Sequence, residues 1–180
     1  GDFLAIPWKA WKRSAFLGLV NPFLYYLILF KAYSLLPAQV AQPVNMIWPV
    51  TLALLSVPIL KQKISWLNFV ALLISFSGVV VIASQGGIDG FRNTNPLGLG
   101  LALASSVLWS LYWILNVLDR RDEIVKLFLN FSFGFVFLAP VVWFFSDFSV
   151  RPGPGLFAMI YVGIFEVGVT YILWMKAMNM

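Results

Sequence analysis

Six apolar runs, each long enough to cross a membrane, constrain this sequence more than any other feature. A helix rises 1.5 Å per residue, so about 20 apolar residues span the ~30 Å hydrocarbon core. None of the runs shows the alternating pattern of a barrel strand. Only 11% of the residues are charged and 61% are hydrophobic, whereas soluble domains carry about a quarter charged residues. We therefore predict an all-α, polytopic membrane protein with six transmembrane helices: 16–36, 38–60, 66–84, 96–118, 124–145 and 156–178.

An internal repeat relates the first and sixth predicted spans. Residues 18–32 read GLVNPFLYYLILFKA and residues 163–177 read GIFEVGVTYILWMKA, so a shift of 145 residues pairs Gly18 with Gly163 and Tyr26 with Tyr171. The sixth span lies five spans after the first, so the two copies must cross the bilayer in opposite directions. Inverted repeats of this kind are typical of secondary transporters.

The repeat also predicts a domain organisation. Residues 1–84 would hold the last three helices of the first repeat, residues 85–95 an extracytoplasmic linker, and residues 96–180 the first three helices of the second repeat. Because two spans precede one copy and two follow the other, we expect ten spans in the intact protein, of which this chain holds the middle six.

The basic residues predict the orientation. With the first segment in the cytoplasm, nine of the twelve Lys and Arg residues fall on the cytoplasmic side, as the positive-inside rule requires. The sequence DRRDE, at residues 119–123 between the fourth and fifth spans, predicts a solvated turn on that side. Trp8 and Trp11 fit interfacial anchors there. Basic residues at the edges of apolar runs indicate lipid headgroups, not nucleic acid, as their partner.

Polar residues inside the predicted spans mark the helices that face the protein interior, because an unpartnered polar group is costly in hydrocarbon. They concentrate in the first, second, fourth and sixth spans. Pro43 and Pro49 are expected to interrupt the second span, and small residues at four-residue steps, including Ser106 and Ser110, predict close packing of the fourth. The candidate residues of a substrate or ion pathway are Asn21, Tyr25, Tyr26, Gln42, Asn45, Trp109, Trp113, Glu166, Thr170, Tyr171 and Trp174.

Glu166 is the most specific of these candidates. It lies about ten residues into the sixth span, near the bilayer centre, and shares one helix face with Thr170 and Trp174. Intramembrane acids usually mark a pathway, so Glu166 is expected to couple protons or to bind a cationic substrate group. The alternative is a structural carboxylate paired with a neighbouring helix. For Gln42 and Asn45, hydrogen bonding between helices is an equal alternative, and the aromatic residues are more often packing groups or anchors.

Four stretches carry a resemblance to a known family: NPFLYYLILFKAYSLLPAQVAQPVNMIWPV, ILKQKISWLNFVALLISFSGVVVIAS, NPLGLGLALASSVLWSLYW and YVGIFEVGVTYILWMKA. They resemble the drug/metabolite transporter superfamily in its EamA-like branch. The resemblance corresponds to the third through eighth of the family's ten helices. It implies a carrier in the bacterial inner membrane, often an exporter of amino acids or other small metabolites. The third, fourth, sixth and eighth family helices, here the first, second, fourth and sixth spans, would line a central cavity.

We predict an alternating-access secondary transporter for a small organic solute, with protons as a candidate coupling ion. The aromatic residues suit an amphipathic or aromatic substrate. A non-transporting receptor or assembly subunit is the first alternative. A membrane-embedded enzyme is the second, and it is disfavoured because the chain has no Cys or His and no clustered carboxylate pair. No metal or other cofactor is predicted.

Overall fold

The computed structural model describes residues 7–84, 94–145 and 153–178, so most of the predicted linker lies outside the described residues. Throughout this part of the chain the regular structure is helical. The α-helices are α1 (Trp8–Gly18), α2 (Tyr25–Leu35), α3 (Ala38–Asn45), α4 (Trp48–Leu60), α5 (Trp66–Ala83), α6 (Pro96–Val117), α7 (Glu123–Phe145), α8 (Pro154–Tyr161) and α9 (Thr170–Met178). Two irregular stretches join α1 to α2 and α8 to α9: Leu19–Leu24, which contains a break at Asn21, and Val162–Val169, which is π-helical.

The prediction of an all-α membrane protein is confirmed. Five helical segments are long and apolar enough to cross a bilayer: Trp8–Leu35, Ala38–Leu60, Pro96–Val117, Glu123–Phe145 and Pro154–Met178. They match five of the six predicted spans. The remaining one, α5, is apolar as expected, but its described apolar part, Trp66–Val81, is shorter than the others.

The first span is not the continuous helix that the sequence analysis predicted. Its backbone leaves helical geometry at Asn21, with φ −149° and ψ 122°. The residue before a proline is driven towards extended conformations, and Pro22 has no N–H to donate to the preceding turn. The span therefore divides into α1 and α2 at Asn21.

The second span is interrupted, as its prolines predicted. α3 ends at Asn45 and α4 begins at Trp48. Between them the Met46 N–H donates to the Gln42 carbonyl at 2.9 Å and the Ile47 N–H to the Val44 carbonyl at 3.3 Å, so both N–H groups stay hydrogen-bonded where the chain turns. Pro49 occupies the first turn of α4, where a missing N–H costs nothing.

The last span widens instead of breaking. Over Val162–Val169 the helix is π-helical, and the Thr170 N–H donates to the carbonyl of Phe165 five residues earlier. The Thr170 hydroxyl donates to the same carbonyl at 2.8 Å. Because a π-helical turn holds one more residue than an α-helical turn, side chains on either side of it are rotated from the positions that a regular helix predicts.

Two compact units make up the chain. One contains residues up to Phe23 and residues from Asn116 onwards, and the other contains Leu24–Leu115. The boundary in the first span lies close to the break at Asn21, so α1 and α2 belong to different units. This division differs from the two predicted repeats, whose boundaries stay a prediction.

The predicted solvated turn between the fourth and fifth spans is wrong in one respect. The side chain of Asp119 is only 4% exposed, and it forms ion pairs with Arg13 and Arg121. Asp122 is exposed as expected, and its carboxylate accepts from the N–H groups of Ile124 and Val125, which caps the first turn of α7.

Candidate functional site

A buried polar cluster lies within the unit Leu24–Leu115. The Tyr25 hydroxyl donates to Oδ1 of Asn45 at 3.4 Å, and Nδ2 of Asn45 donates to the Ser105 hydroxyl at 2.9 Å. Asn45 is 1% exposed and Ser105 is fully buried. A carboxamide has two donor hydrogens and an oxygen with two lone pairs. Asn45 therefore joins α2 to α6 and still has one donor and one acceptor beyond these two bonds.

Aromatic rings extend this cluster along α6. The Tyr25 ring lies 4.7 Å from the ring of Trp109 and 5.0 Å from that of Tyr26. Trp109 in turn lies 6.0 Å from Trp113. We call Tyr25, Tyr26, Asn45, Ser105, Trp109 and Trp113 the aromatic–amide cluster. It brings together five of the predicted site residues, and Ser105 completes it.

Gln42, a sixth predicted residue in the same unit, lies at a more accessible position. Its side-chain oxygen accepts a hydrogen bond from the Tyr33 hydroxyl, and the Gln42 side chain is exposed. Asn45 is one turn further along α3 and is buried. The second span thus presents one carboxamide near the surface and one within the cluster.

A second polar seam, which the sequence analysis did not identify as a site, joins α4 to α6. The hydroxyls of Thr51 and Ser110 lie 2.6 Å apart, and the Ser110 hydroxyl also lies within hydrogen-bond distance of the Trp48 and Ser106 carbonyls. The four-residue spacing of Ser106 and Ser110 predicted close packing. Thr51 carried no signal of its own, because a single threonine in an apolar helix usually bonds to its own backbone.

The remaining predicted site residues lie in the other unit. Asn21 is fully buried at the helix break. Tyr171 is 6% exposed, and its ring lies 5.4 Å from that of Phe131 in α7. Glu166, Thr170 and Trp174 are exposed, so the described residues do not enclose the predicted polar face of the last span. Their pathway role stays a prediction.

An apolar groove of about 420 Å³ separates α7 from the last span. Phe128 and Phe131 line it on one side, and Gly163, Val167 and Tyr171 on the other. Its surface is almost wholly apolar, so it lacks the hydrogen-bonding groups that orient a polar solute. In the described ranges no group of three or more Asp, Glu, His or Cys residues is placed to hold a metal ion.

The sequence pattern of the EamA-like transporter family matches residues 1–84 and 96–180. The chain belongs to this family. The predicted resemblance to the drug/metabolite transporters is thereby confirmed, and together with the five spans it identifies an integral membrane protein. Bacterial relatives agree with the expected inner-membrane location.

Three curated relatives illustrate the similarity. The aromatic amino acid exporter YddG of Ancylobacter novellus is 27% identical over 172 residues, covering 93% of this chain and 58% of the relative. An uncharacterized transporter of Clostridium kluyveri is 30% identical over 134 residues, 67% of this chain and 41% of the relative. One from Archaeoglobus fulgidus is 25% identical over 175 residues, 94% of this chain and 60% of the relative. The chain thus spans 41–60% of these relatives. No solved structure matches it significantly.

Proposed function

We propose that this protein is a secondary active transporter that exports a small organic metabolite, such as an amino acid, by alternating access. The observation that carries the proposal is the aromatic–amide cluster. It places a carboxamide with spare hydrogen-bonding capacity among four large aromatic rings, inside helices that cross the membrane. Binding sites for small organic molecules combine apolar and aromatic walls with a few fixed polar groups in this way.

Within that function, an aromatic amino acid is the first substrate to test. Ring faces such as those of Tyr25 and Trp109 stack favourably on another ring, at an offset or edge to face. The Asn45 carboxamide supplies a donor and an acceptor that would meet a carboxylate and an ammonium group. The name of the Ancylobacter relative, an aromatic amino acid exporter, points to the same substrate class.

Proton coupling through Glu166 is the second part of the proposal. No nucleotide-hydrolysis motif occurs in the sequence, so coupling would come from an ion gradient or from exchange. A carboxylate at bilayer depth either binds a proton or meets a cation, because an isolated charge is costly there. Glu166 lies within the π-helical stretch of the last span, a feature often found at functional sites.

Solute flux from liposomes tests the proposal. Liposomes that contain the full-length protein and are loaded with labelled tryptophan, phenylalanine, leucine or glutamate should release the aromatic solutes fastest. If the protein were a receptor or an enzyme, none of these solutes would leave the liposomes faster than they leave loaded liposomes without protein. Absence of flux for every solute tested, from correctly folded protein, would contradict the proposal.

A matched pair of tryptophan variants locates the site. Trp109→Leu removes a ring of the cluster, whereas Trp143→Leu removes an indole that is 77% exposed at the end of α7. We expect Trp109→Leu to reduce the flux of aromatic solutes at least about threefold, which corresponds to the free energy of one aromatic contact. Trp143→Leu should leave this flux unchanged. Equal effects of the two variants would place the substrate site elsewhere.

A further inference from the structure

The buried carboxylate of Asp119 lies at the centre of a charged cluster at one end of α1, α6 and α7. Its Oδ2 lies 2.6 Å from Nη2 of Arg121 and 3.3 Å from Nε of Arg13. Arg121 also donates from Nε to both carboxylate oxygens at 3.0 Å. Burial alone would raise the pKa of Asp119, but the hydrogen bonds and the charges of the two arginines outweigh it and hold the pKa below its ordinary value. Asp119 is therefore ionised at neutral pH.

Arg121 connects this carboxylate to α1. Its Nη1 donates to the Ala10 carbonyl at 3.2 Å and its Nη2 to the Ser14 hydroxyl at 3.0 Å. Ser14 is fully buried and Arg13 comes from the same helix. Residues more than 100 positions apart are thus held together by one guanidinium. The predicted inverted repeats assign α1 to the first repeat and Arg121 to the second, so this contact would join the two repeats.

Lys126 completes the cluster. Its Nζ donates to the carbonyls of Asn116 and Asp119 at 3.1 and 2.9 Å, and its side chain is only 1% exposed. A cation at the end of a helix favours the carbonyl groups left unpaired there. The positive-inside rule predicts that this end of the molecule, with Arg13, Arg121 and Lys126, lies in the cytoplasm.

Further along the two helices from this cluster, α1 and α7 pack closely, but side-chain amide groups beside their contact lack hydrogen-bond partners among the described residues. A side chain on Gly18 would collide with backbone atoms of Asn130 and Gly134, and one on Gly134 with the ring of Pro22. In the Asn21 side chain, neither Nδ2 nor Oδ1 has a hydrogen-bond partner among the described residues, and Oδ1 of Asn130 has none either. Both side chains are fully buried. Water entering this seam would satisfy them, which lowers the cost of opening it.

We propose that Asp119, Arg13 and Arg121 form a latch that closes the cytoplasmic end of the seam between α1 and α7, and that this latch opens during transport. The opening of the latch during transport rests on the proposed function, whereas the closed arrangement rests on the contacts described above. A buried ion pair that loses one partner leaves an uncompensated charge, so the stable arrangements are the fully paired one and the fully hydrated one. Interfaces with two discrete arrangements are what alternating access needs.

A single cysteine at Leu17 reports on the latch. The chain has no native cysteine. Leu17 is 1% exposed and directly precedes Gly18, which packs against α7, so Leu17→Cys is protected while α1 and α7 stay packed. The test compares its labelling by a membrane-impermeant maleimide, added from the cytoplasmic side, with and without Asp119→Asn. Asp122→Asn is the matched control, because it makes the same chemical change in the same turn at an exposed carboxylate and keeps the capping oxygen.

We expect Asp119→Asn to raise the labelling rate at least about tenfold, the effect of losing a charge-assisted hydrogen bond, and Asp122→Asn to leave it unchanged. Unchanged labelling with Asp119→Asn would overturn the latch. Should that variant fail to fold, Arg13→Gln decides by the same assay, since Arg13 is 39% exposed and makes the longer contact: faster labelling supports the latch and unchanged labelling overturns it.

Flux measured on the same variants separates this inference from the proposed function. Faster labelling in a protein that moves no solute would retain the ion pairs as the contact that closes the seam, but it would contradict both the transporter and the opening of the latch during transport. Flux in the unmodified protein together with unchanged labelling in the latch variant would retain the transporter and contradict the latch.

Discussion

The two copies of the internal repeat depart from regular helix at the same place, but in different ways. The shift of 145 residues maps Leu19–Leu24 into Val162–Val169, and both stretches are irregular. In the first copy the chain breaks at Asn21 before Pro22. In the second, Val167 takes the place of Pro22 and can donate its N–H, so the helix only widens. The polar residue of each copy, Asn21 or Glu166, lies within its irregular stretch.

The surroundings of the two copies differ more than their backbones. Asn21 is fully buried, whereas Glu166 is exposed. In the most apolar 18 residues of the last span 6% of the residues are buried, against 44% for the first span. One sequence pattern therefore yields an enclosed polar group in one copy and an open one in the other. Within the described residues, the helices packed around each copy, and not the pattern itself, decide whether its polar group is buried.

The paired glycines at the start of each copy give the largest expected effect. Gly18→Ala would place a methyl group against backbone atoms of Asn130 and Gly134, which cannot move aside as a side chain does. Overpacking of this kind costs about 1–3 kcal/mol. Its equivalent, Gly163→Ala, meets nothing within 4 Å. Thermal unfolding in detergent should show a lower Tm for Gly18→Ala only, and equal Tm values would contradict the close packing of α1 on α7.

The paired hydroxyls seven residues after these glycines, Tyr25 and Thr170, give a smaller effect. Tyr25 donates to the Asn45 side chain, whereas its equivalent, Thr170, donates to the backbone of its own helix. Tyr25→Phe should therefore cost about 0.5–1.5 kcal/mol of stability and reduce aromatic flux. Thr170→Val should leave flux unchanged, because it removes no contact between helices. If Thr170→Val reduces flux as much as Tyr25→Phe, the exposed face of the last span is part of the substrate site.

The sequence predicted the elements well because hydrophobic length and proline position act locally. Five spans were located within a few residues, except that the first helix begins at Trp8, and the interruption of the second span followed from Pro43 and Pro49. The break at Asn21 was missed although Pro22 was visible, since an apolar run on both sides can sustain a helix through a proline.

The aromatic–amide cluster was only partly predictable, and the latch was not. Polarity selected Tyr25, Asn45 and Trp109, but their contacts depend on the packing of three helices. The local sequence predicts a solvated turn at Asp119, because the four residues that follow it, at 120–123, are all charged. Its burial depends on Arg13, which lies more than 100 residues away in the chain and which no local pattern connects to it.

Measuring proton-driven substrate accumulation by the Glu166→Gln variant tests most directly whether Glu166, in the irregular stretch of the second copy, is the proton-coupling group. Glutamine keeps the size and hydrogen bonding of the side chain but cannot exchange a proton, and Glu123→Gln at the start of α7 is the matched control. In liposomes with an imposed pH gradient, we predict that Glu166→Gln expresses and folds normally but loses accumulation, while Glu123→Gln accumulates substrate as the unmodified protein does. Accumulation by Glu166→Gln against a gradient, with unchanged pH dependence, would contradict the account and leave Glu166 a structural carboxylate.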